Sequence, residues 1–176
     1  GTTGSGRNLA GALVGADVIK NEITAHAVAA STYVPGVQTI LEIGGQDSKI
    51  IILRDGIVTD FAMNTVCAAG TGSFLDQQAS RLNVPIQNLL YGLCQALVRN
   101  YLSNLALGKE ILPIVTFQGG VATNTGMVKA FEEALNTKVV VPDNHQTMGA
   151  IGAALLAMEN HQFNEKPTTF KGFSVG

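Results

Sequence analysis

Between Gln38 and Met63 the chain reads QTILEIGGQDSKIIILRDGIVTDFAM, and this stretch limits the fold more than any other. It holds three extended segments, Gln38–Ile43, Ser48–Leu53 and Ile57–Met63, rich in the β-branched residues that suit a pleated sheet. Asp55-Gly56 separates the last two and is a two-residue hairpin signal, because both positions tolerate positive φ. Three strands joined this closely predict an antiparallel meander. Downstream, apolar residues at helical spacing predict helices over Thr71–Leu82, Leu90–Leu107 and Thr125–Leu135, with short strands at Ile114–Phe117 and Lys138–Val141. An alanine-rich helix over Gln146–Met158, buried on most faces, closes the pattern, and His161–Gly176 has the composition of a tail. Upstream, Gly1–Gly15 reads as loop into short helix, and Asn21–Thr32 as a helix that ends before Tyr33-Val34-Pro35-Gly36. A meander followed by alternating helix and strand predicts an α/β fold with a mixed sheet and flanking helices.

Composition narrows the function classes. The 176 residues carry a net charge of −2 with no basic cluster, which removes the electrostatic footprint of a nucleic-acid binder. No stretch approaches the ~18 uninterrupted apolar residues of a membrane span, and Gly1–Gly6 lacks a secretory start. The expectation is a cytoplasmic protein without a membrane or nucleic-acid partner. With 46% hydrophobic and only 14% charged residues, its surface is suited to a protein partner. Two cysteines, Cys67 and Cys94, are too few for a disulfide framework.

Four stretches carry chemistry. In LEIGGQDSK, Leu41–Lys49, Gly44 and Gly45 let backbone N–H groups approach an anion, Glu42 suits a hydrated Mg²⁺ beside phosphate oxygens, and Gln46 and Asp47 face the same place. The alternative is a bulged hairpin turn. In PIVTFQGGVATNTG, Pro113–Gly126, an apolar strand meets Gly119-Gly120 and a helix starts after Thr123-Asn124, a layout on which a nucleotide can lie; close helix–strand packing explains it equally. Gly70-Thr71-Gly72 precedes a helix and suits phosphate, and Cys67 stands just upstream, where thiolate character is favoured. Glu22 and His26 lie four apart on one helical face, a spacing open to a metal but commoner as a solvated face.

The order of these motifs resembles the nucleotide-binding layout of the actin and sugar-kinase superfamily. EIGGQDSK, MNTVCAAGTGSFLD, FQGGVATN and MGAIGAAL are more specific and resemble the ATPase family that activates 2-hydroxyacyl-CoA dehydratases and drives benzoyl-CoA reductase. The resemblance spans Gly1 to about Met158. It implies an actin-like ATPase fold that binds ATP or ADP with Mg²⁺. Glu42-Ile43-Gly44-Gly45 would be the second phosphate motif, with Gln46 and Asp47 beside it and Gly70-Thr71-Gly72 at the following helix. Gly119-Gly120-Val121 with Asn124 would be the adenosine motif. Asn21-Glu22 would position the attacking water, making Glu22, Glu42 and Gln46 the catalytic set. Cys67 would be a ligand of a [4Fe–4S] cluster shared across a homodimer, through which a low-potential electron passes to the dehydratase or reductase.

Three departures qualify this expectation. The first phosphate motif of the family is not found, so residues 1–36 are expected to be a fragment of a first ATPase domain, 37–158 a second domain and 159–176 a tail or linker. The family's second cluster cysteine is not found either, because Asn83–Leu90 runs straight into Tyr91-Gly92-Leu93-Cys94, where Cys94 reads as a buried core thiol beside Leu97 and Val98. Glu42 stands where family members often carry Asp. The competing readings are a sugar kinase with Glu22 as base, and a remnant that keeps the fold without hydrolysis.

Overall fold

The structure, a computed structural model, describes residues 1–64, 72–86 and 91–164. The chain divides into two compact units, Val34–Gln146 and a second made of Gly1–Tyr33 with the segment from Thr147 onward. The expectations for Thr71, for Leu90 and for the segment beyond Asn164 fall outside the described residues.

The unit Val34–Gln146 is a five-stranded mixed sheet. Strands β1 (Thr39–Ile43), β2 (Ser48–Arg54) and β3 (Ile57–Asn64) form the expected antiparallel meander, while β4 (Val115–Gln118) and β5 (Val139–Val140) add in parallel, giving the order β3-β2-β1-β4-β5. The β2–β3 turn is made by Asp55 and Gly56, both at positive φ (53° and 76°), as the hairpin signal requires. A register irregularity between Ile52 and Leu53 then realigns β3.

Leu41, Ile43, Ile50, Ile52, Val115 and Phe117 turn one face of this sheet into a core against α4 (Tyr91–Leu105) and α5 (Thr125–Leu135), with Leu75 and Ala79 of α3 (Gly72–Leu82) in the same cluster. Phe131 lies at the centre, edge-on to Tyr101 at 5.3 Å and to Phe117 at 5.0 Å. Cys94 is fully buried in this core, as its spacing with Leu97 and Val98 predicts, and burial pushes its thiol pKa up. The opposite face holds Ile40, Glu42, Lys49, Ile51 and Gln118, all buried as well. β1 is therefore buried at every position, which explains why TILEI shows no apolar/polar alternation. β3 is one edge of the sheet and leaves Ile57, Phe61 and Met63 exposed.

The other unit contains α1 (Arg7–Val14), α2 (Glu22–Tyr33) and α6 (Met148–Asn164). Asn21 caps α2, its Oδ1 accepting from the Thr24 amide at 2.8 Å. α2 buries Ala25, Ala27, Ala29 and Ala30, small residues that allow close helix packing. A Cβ added at Gly152 of α6 would stand 1.8 Å from the Ala25 carbonyl oxygen, so the helices touch backbone to backbone there.

α6 begins at Met148 and not Gln146, and it differs from its expectation in two further ways. It runs to Asn164 and not Met158, because Glu159–Asn164 contains no breaker before Pro167. Its buried residues between Met148 and Gln162 are only Met148, Gly152 and Ala153, a narrow stripe in place of burial on most faces. Among the described residues no helix is long and apolar enough to cross a membrane.

Candidate functional site

The ends of β1 and β4 decide where the site lies. These neighbouring parallel strands pair Glu42 with Gln118, so Gly44-Gly45 and Gly119-Gly120 leave the sheet side by side. Gly119 has φ 90° and ψ 173°, a conformation open essentially to glycine alone. An added Cβ would stand 2.3 Å from the Ile43 carbonyl oxygen and 2.8 Å from Glu42 Oε1. The glycine is needed for both torsion and space.

The turn Gly44–Asp47 is closed by the Gly44 amide donating to the Asp47 carbonyl at 3.0 Å. α3 then docks on that turn: the Gly72 amide donates to Gly44 O at 2.8 Å and the Ser73 amide to Gly45 O at 2.9 Å. A Cβ on Gly72 would meet Gly44 O at 2.6 Å. Gly44 and Gly45 lack positive φ, so their value lies in close approach. At Gly45 an added Cβ would meet nothing within 4 Å.

Around these turns opens a cleft of ≈ 340 Å³. Its lining includes Gly44, Gly45 and Gly72 together with Gly120, Val121 and Asn124, and Leu75 and Ile86 as apolar surface. Gly120–Thr123 form a single 3₁₀ turn. Asn124 follows as the N-cap of α5, its Oδ1 accepting from the Gly126 amide at 2.9 Å and the Met127 amide at 3.3 Å.

Behind Gly44 lies an ion triad of buried Glu42 and Lys49 with partly exposed Asp47. The antiparallel register sets Glu42 opposite Lys49, and the Lys49 ammonium bonds Glu42 Oε2 at 2.8 Å and Asp47 Oδ1 at 2.9 Å. Lys49 is only 2% exposed. Burial alone lowers its pKa, but the charge and hydrogen bond of Glu42, with those of Asp47, outweigh that and hold it above the ordinary lysine value. Tyr101 donates its hydroxyl to the Lys49 carbonyl, and burial holds that phenol well above its usual pKa. The triad carries two acids for one base, leaving a net negative charge beside the Gly44 turn.

The structure thus brings Gly44, Gly45, Gly72, Gly120, Val121 and Asn124 to one cleft, with Gly119, Glu42 and Asp47 directly behind its strand ends. Gln46 is exposed at the tip of the turn and is not part of the lining. Glu22 belongs to the other unit, in the first turn of α2. Cys67, Gly70 and Thr71 lie outside the described residues. His26 packs its ring near Gly149, with Nε2 3.3 Å from where a Cβ would stand. Among the described residues no three His, Cys, Asp or Glu side chains converge on a metal position.

Residues 1–90 match the model of the BadF/BadG/BcrA/BcrD ATPase family. The (R)-2-hydroxyglutaryl-CoA dehydratase activating ATPase of Acidaminococcus fermentans is 33% identical over 192 residues, covering 88% of this chain and 73% of that protein. The chain belongs to the BadF/BadG/BcrA/BcrD ATPase family. The 2-hydroxyisocaproyl-CoA dehydratase activator of Clostridioides difficile is 31% identical over 189 residues, covering 86% of this chain and 71% of that one. A solved structure of the activator of the 2-hydroxyisocaproyl-CoA dehydratase from Clostridium difficile with bound ADPNP superposes with a TM-score of 0.84 at 28% identity, covering 95% of this chain and 76% of that chain. The actin-like ATPase fold and the resemblance read from the motifs are both borne out. The family match includes EIGGQDSK and ends before α4, so the Gly119–Asn124 turn lies beyond it.

Sequence reading of this family member missed Leu75, Asp76, Ile86, Thr123 and Gln146, all of which line the cleft. Leu75 and Asp76 follow Gly72 by three and four residues, one helical turn, and that spacing was the available signal. Gln146 had no such signal, since it reaches Thr123 Oγ1 across 23 residues at 3.2 Å.

Proposed function

We propose that the cleft of Val34–Gln146 binds ATP and ADP, and that the chain acts as an ATP-hydrolysing activator of a 2-hydroxyacyl-CoA dehydratase or a benzoyl-CoA reductase type enzyme. The observation that carries the reading is the convergence of two glycine turns, Gly44-Gly45 and Gly119-Gly120, and the Gly72 start of α3 on one cleft at the ends of adjacent parallel strands. Exposed backbone at such turns accommodates phosphate oxygens without side-chain obstruction. Relatives that activate 2-hydroxyisocaproyl-CoA, (R)-2-hydroxyglutaryl-CoA and lactoyl-CoA dehydratases support a dehydratase as the partner.

In this reading Gly44, Gly45 and Asp47, with Gly70-Thr71-Gly72, form the phosphate end, and Gly119, Gly120, Val121 and Asn124 the adenosine end. Leu75, Val121 and Ile86 supply apolar surface for a base. Glu42 and Asp47 fit a Mg²⁺ ion, since their carboxylates converge at Gly44 and a hydrated Mg²⁺ takes one or two carboxylates plus phosphate oxygens. When bound, the ion would neutralise phosphate charge. Lys49 holds both acids in place. Glu22 and Gln46 are proposed to orient the attacking water.

The finer proposal, a homodimer that shares a [4Fe–4S] cluster, rests on Cys67. Cys94 does not fit a shared cluster: it is sealed in the core with its thiol pKa raised, whereas ligands must be thiolates. Two copies of Cys67 would supply two of the four thiolates that such a cluster takes. The test is MgATP turnover, with and without a 2-hydroxyacyl-CoA dehydratase under anaerobic reducing conditions. ATP-dependent dehydratase activity that Glu42→Gln lowers by about tenfold or more is the expected result. Sugar-dependent ADP release without activation would replace the reading with a kinase.

A further inference from the structure

Gly119 is held from both sides by one residue. Its amide donates to the His145 carbonyl oxygen at 2.8 Å, and its own carbonyl lies 2.8 Å from His145 Nδ1. A peptide carbonyl only accepts, so Nδ1 carries the proton in this contact. The His145 amide donates to Pro142 O at 3.0 Å, which folds Pro142–His145 into a turn and aims the ring. The next residue, Gln146, donates to Thr123 Oγ1 at 3.2 Å. Two consecutive side chains thus grip both ends of the Gly119–Thr123 turn, whose Gly120, Val121 and Thr123 line the cleft together with Gln146 itself.

We infer that His145 is a positioning residue for nucleotide binding, fixing the orientation of the Gly119 peptide and with it the wall formed by Gly120 and Val121. The inference rests on the nucleotide reading of the cleft. Gly119 needs such a grip. Its torsions are unavailable to other residues, but glycine itself leaves them freely, and no side chain of its own anchors the turn. Fixing a binding loop in advance removes an ordering cost from association. The imidazole does not touch the ligand in this scheme and acts through the loop.

The decisive comparison is MgADP titration of the parent chain, His145→Ala and His145→Asn, with the imidazole tautomer read by long-range ¹H–¹⁵N correlation. Asn places an amide N–H near the position of Nδ1, whereas Ala removes the donor. The expected results are an Nδ1–H tautomer at neutral pH, affinity about tenfold weaker in His145→Ala, and His145→Asn within about threefold of the parent. An Nε2–H tautomer, parent-like affinity in His145→Ala, or His145→Asn as weak as His145→Ala would each overturn the inference alone. No binding by the parent chain would overturn the cleft reading and the inference with it.

Discussion

Lys49 is the residue whose replacement is most informative. Its buried ammonium serves Glu42 and Asp47 at once, and Glu42 is itself only 5% exposed. Lys49→Met would strand a buried carboxylate, and the expected loss is about 3–5 kcal/mol in denaturant unfolding. Lys49→Met combined with Glu42→Gln should recover much of that loss, because the uncompensated charge is gone. Linkage gives the sign of the pH dependence. A folded-state lysine pKa raised above its unfolded value contributes fully below the unfolded value of 10.5 and loses that contribution as pH rises through the folded value. The stability difference between parent and Lys49→Met is therefore expected to stay flat from about pH 6 to 9 as regards Lys49. Gly119→Ala tests a different constraint, a positive φ with a Cβ 2.3 Å from Ile43 O. It is expected to destabilise by about 1–3 kcal/mol and to weaken nucleotide binding, read by unfolding and titration together.

At the scale of elements, Gly152 is the sharpest test of α2 against α6. A methyl group there would stand 1.8 Å from the Ala25 carbonyl oxygen, so Gly152→Ala must push the helices apart. The expected cost is about 3 kcal/mol, with faster amide exchange concentrated in α2 and α6. The elements also show which signals the sequence carried. Asp55-Gly56 and the isoleucine run of β2 made the meander legible, because local torsion and β-branching act over a few residues. β5 was expected over four residues and spans two, Val139–Val140, since only these pair with β4. β4 is shifted by one residue, to Val115–Gln118, because its ends follow pairing with β1, a partner more than 70 positions away.

For the whole molecule, the glycine turns of the site were legible, and their convergence was legible only through the family resemblance. The Lys49 triad went unread because it depends on a cross-strand register that sets Glu42 opposite Lys49. The His145 grip on Gly119 joins residues 26 apart in a loop without periodicity, so no local pattern announces it. In the proposed function Gly44-Gly45 and Gly119-Gly120 frame a nucleotide cleft. Gly45 offers the most direct test, since a Cβ there meets nothing within 4 Å and enters space beside the turn. The measurement is calorimetric titration of the parent chain and Gly45→Val with MgADP. Saturable one-site binding by the parent, reduced by about tenfold or more in a Gly45→Val variant of unchanged thermal stability, is the predicted result. Equal affinity in the two proteins, or no binding by the parent, would rule out a nucleotide site at these turns.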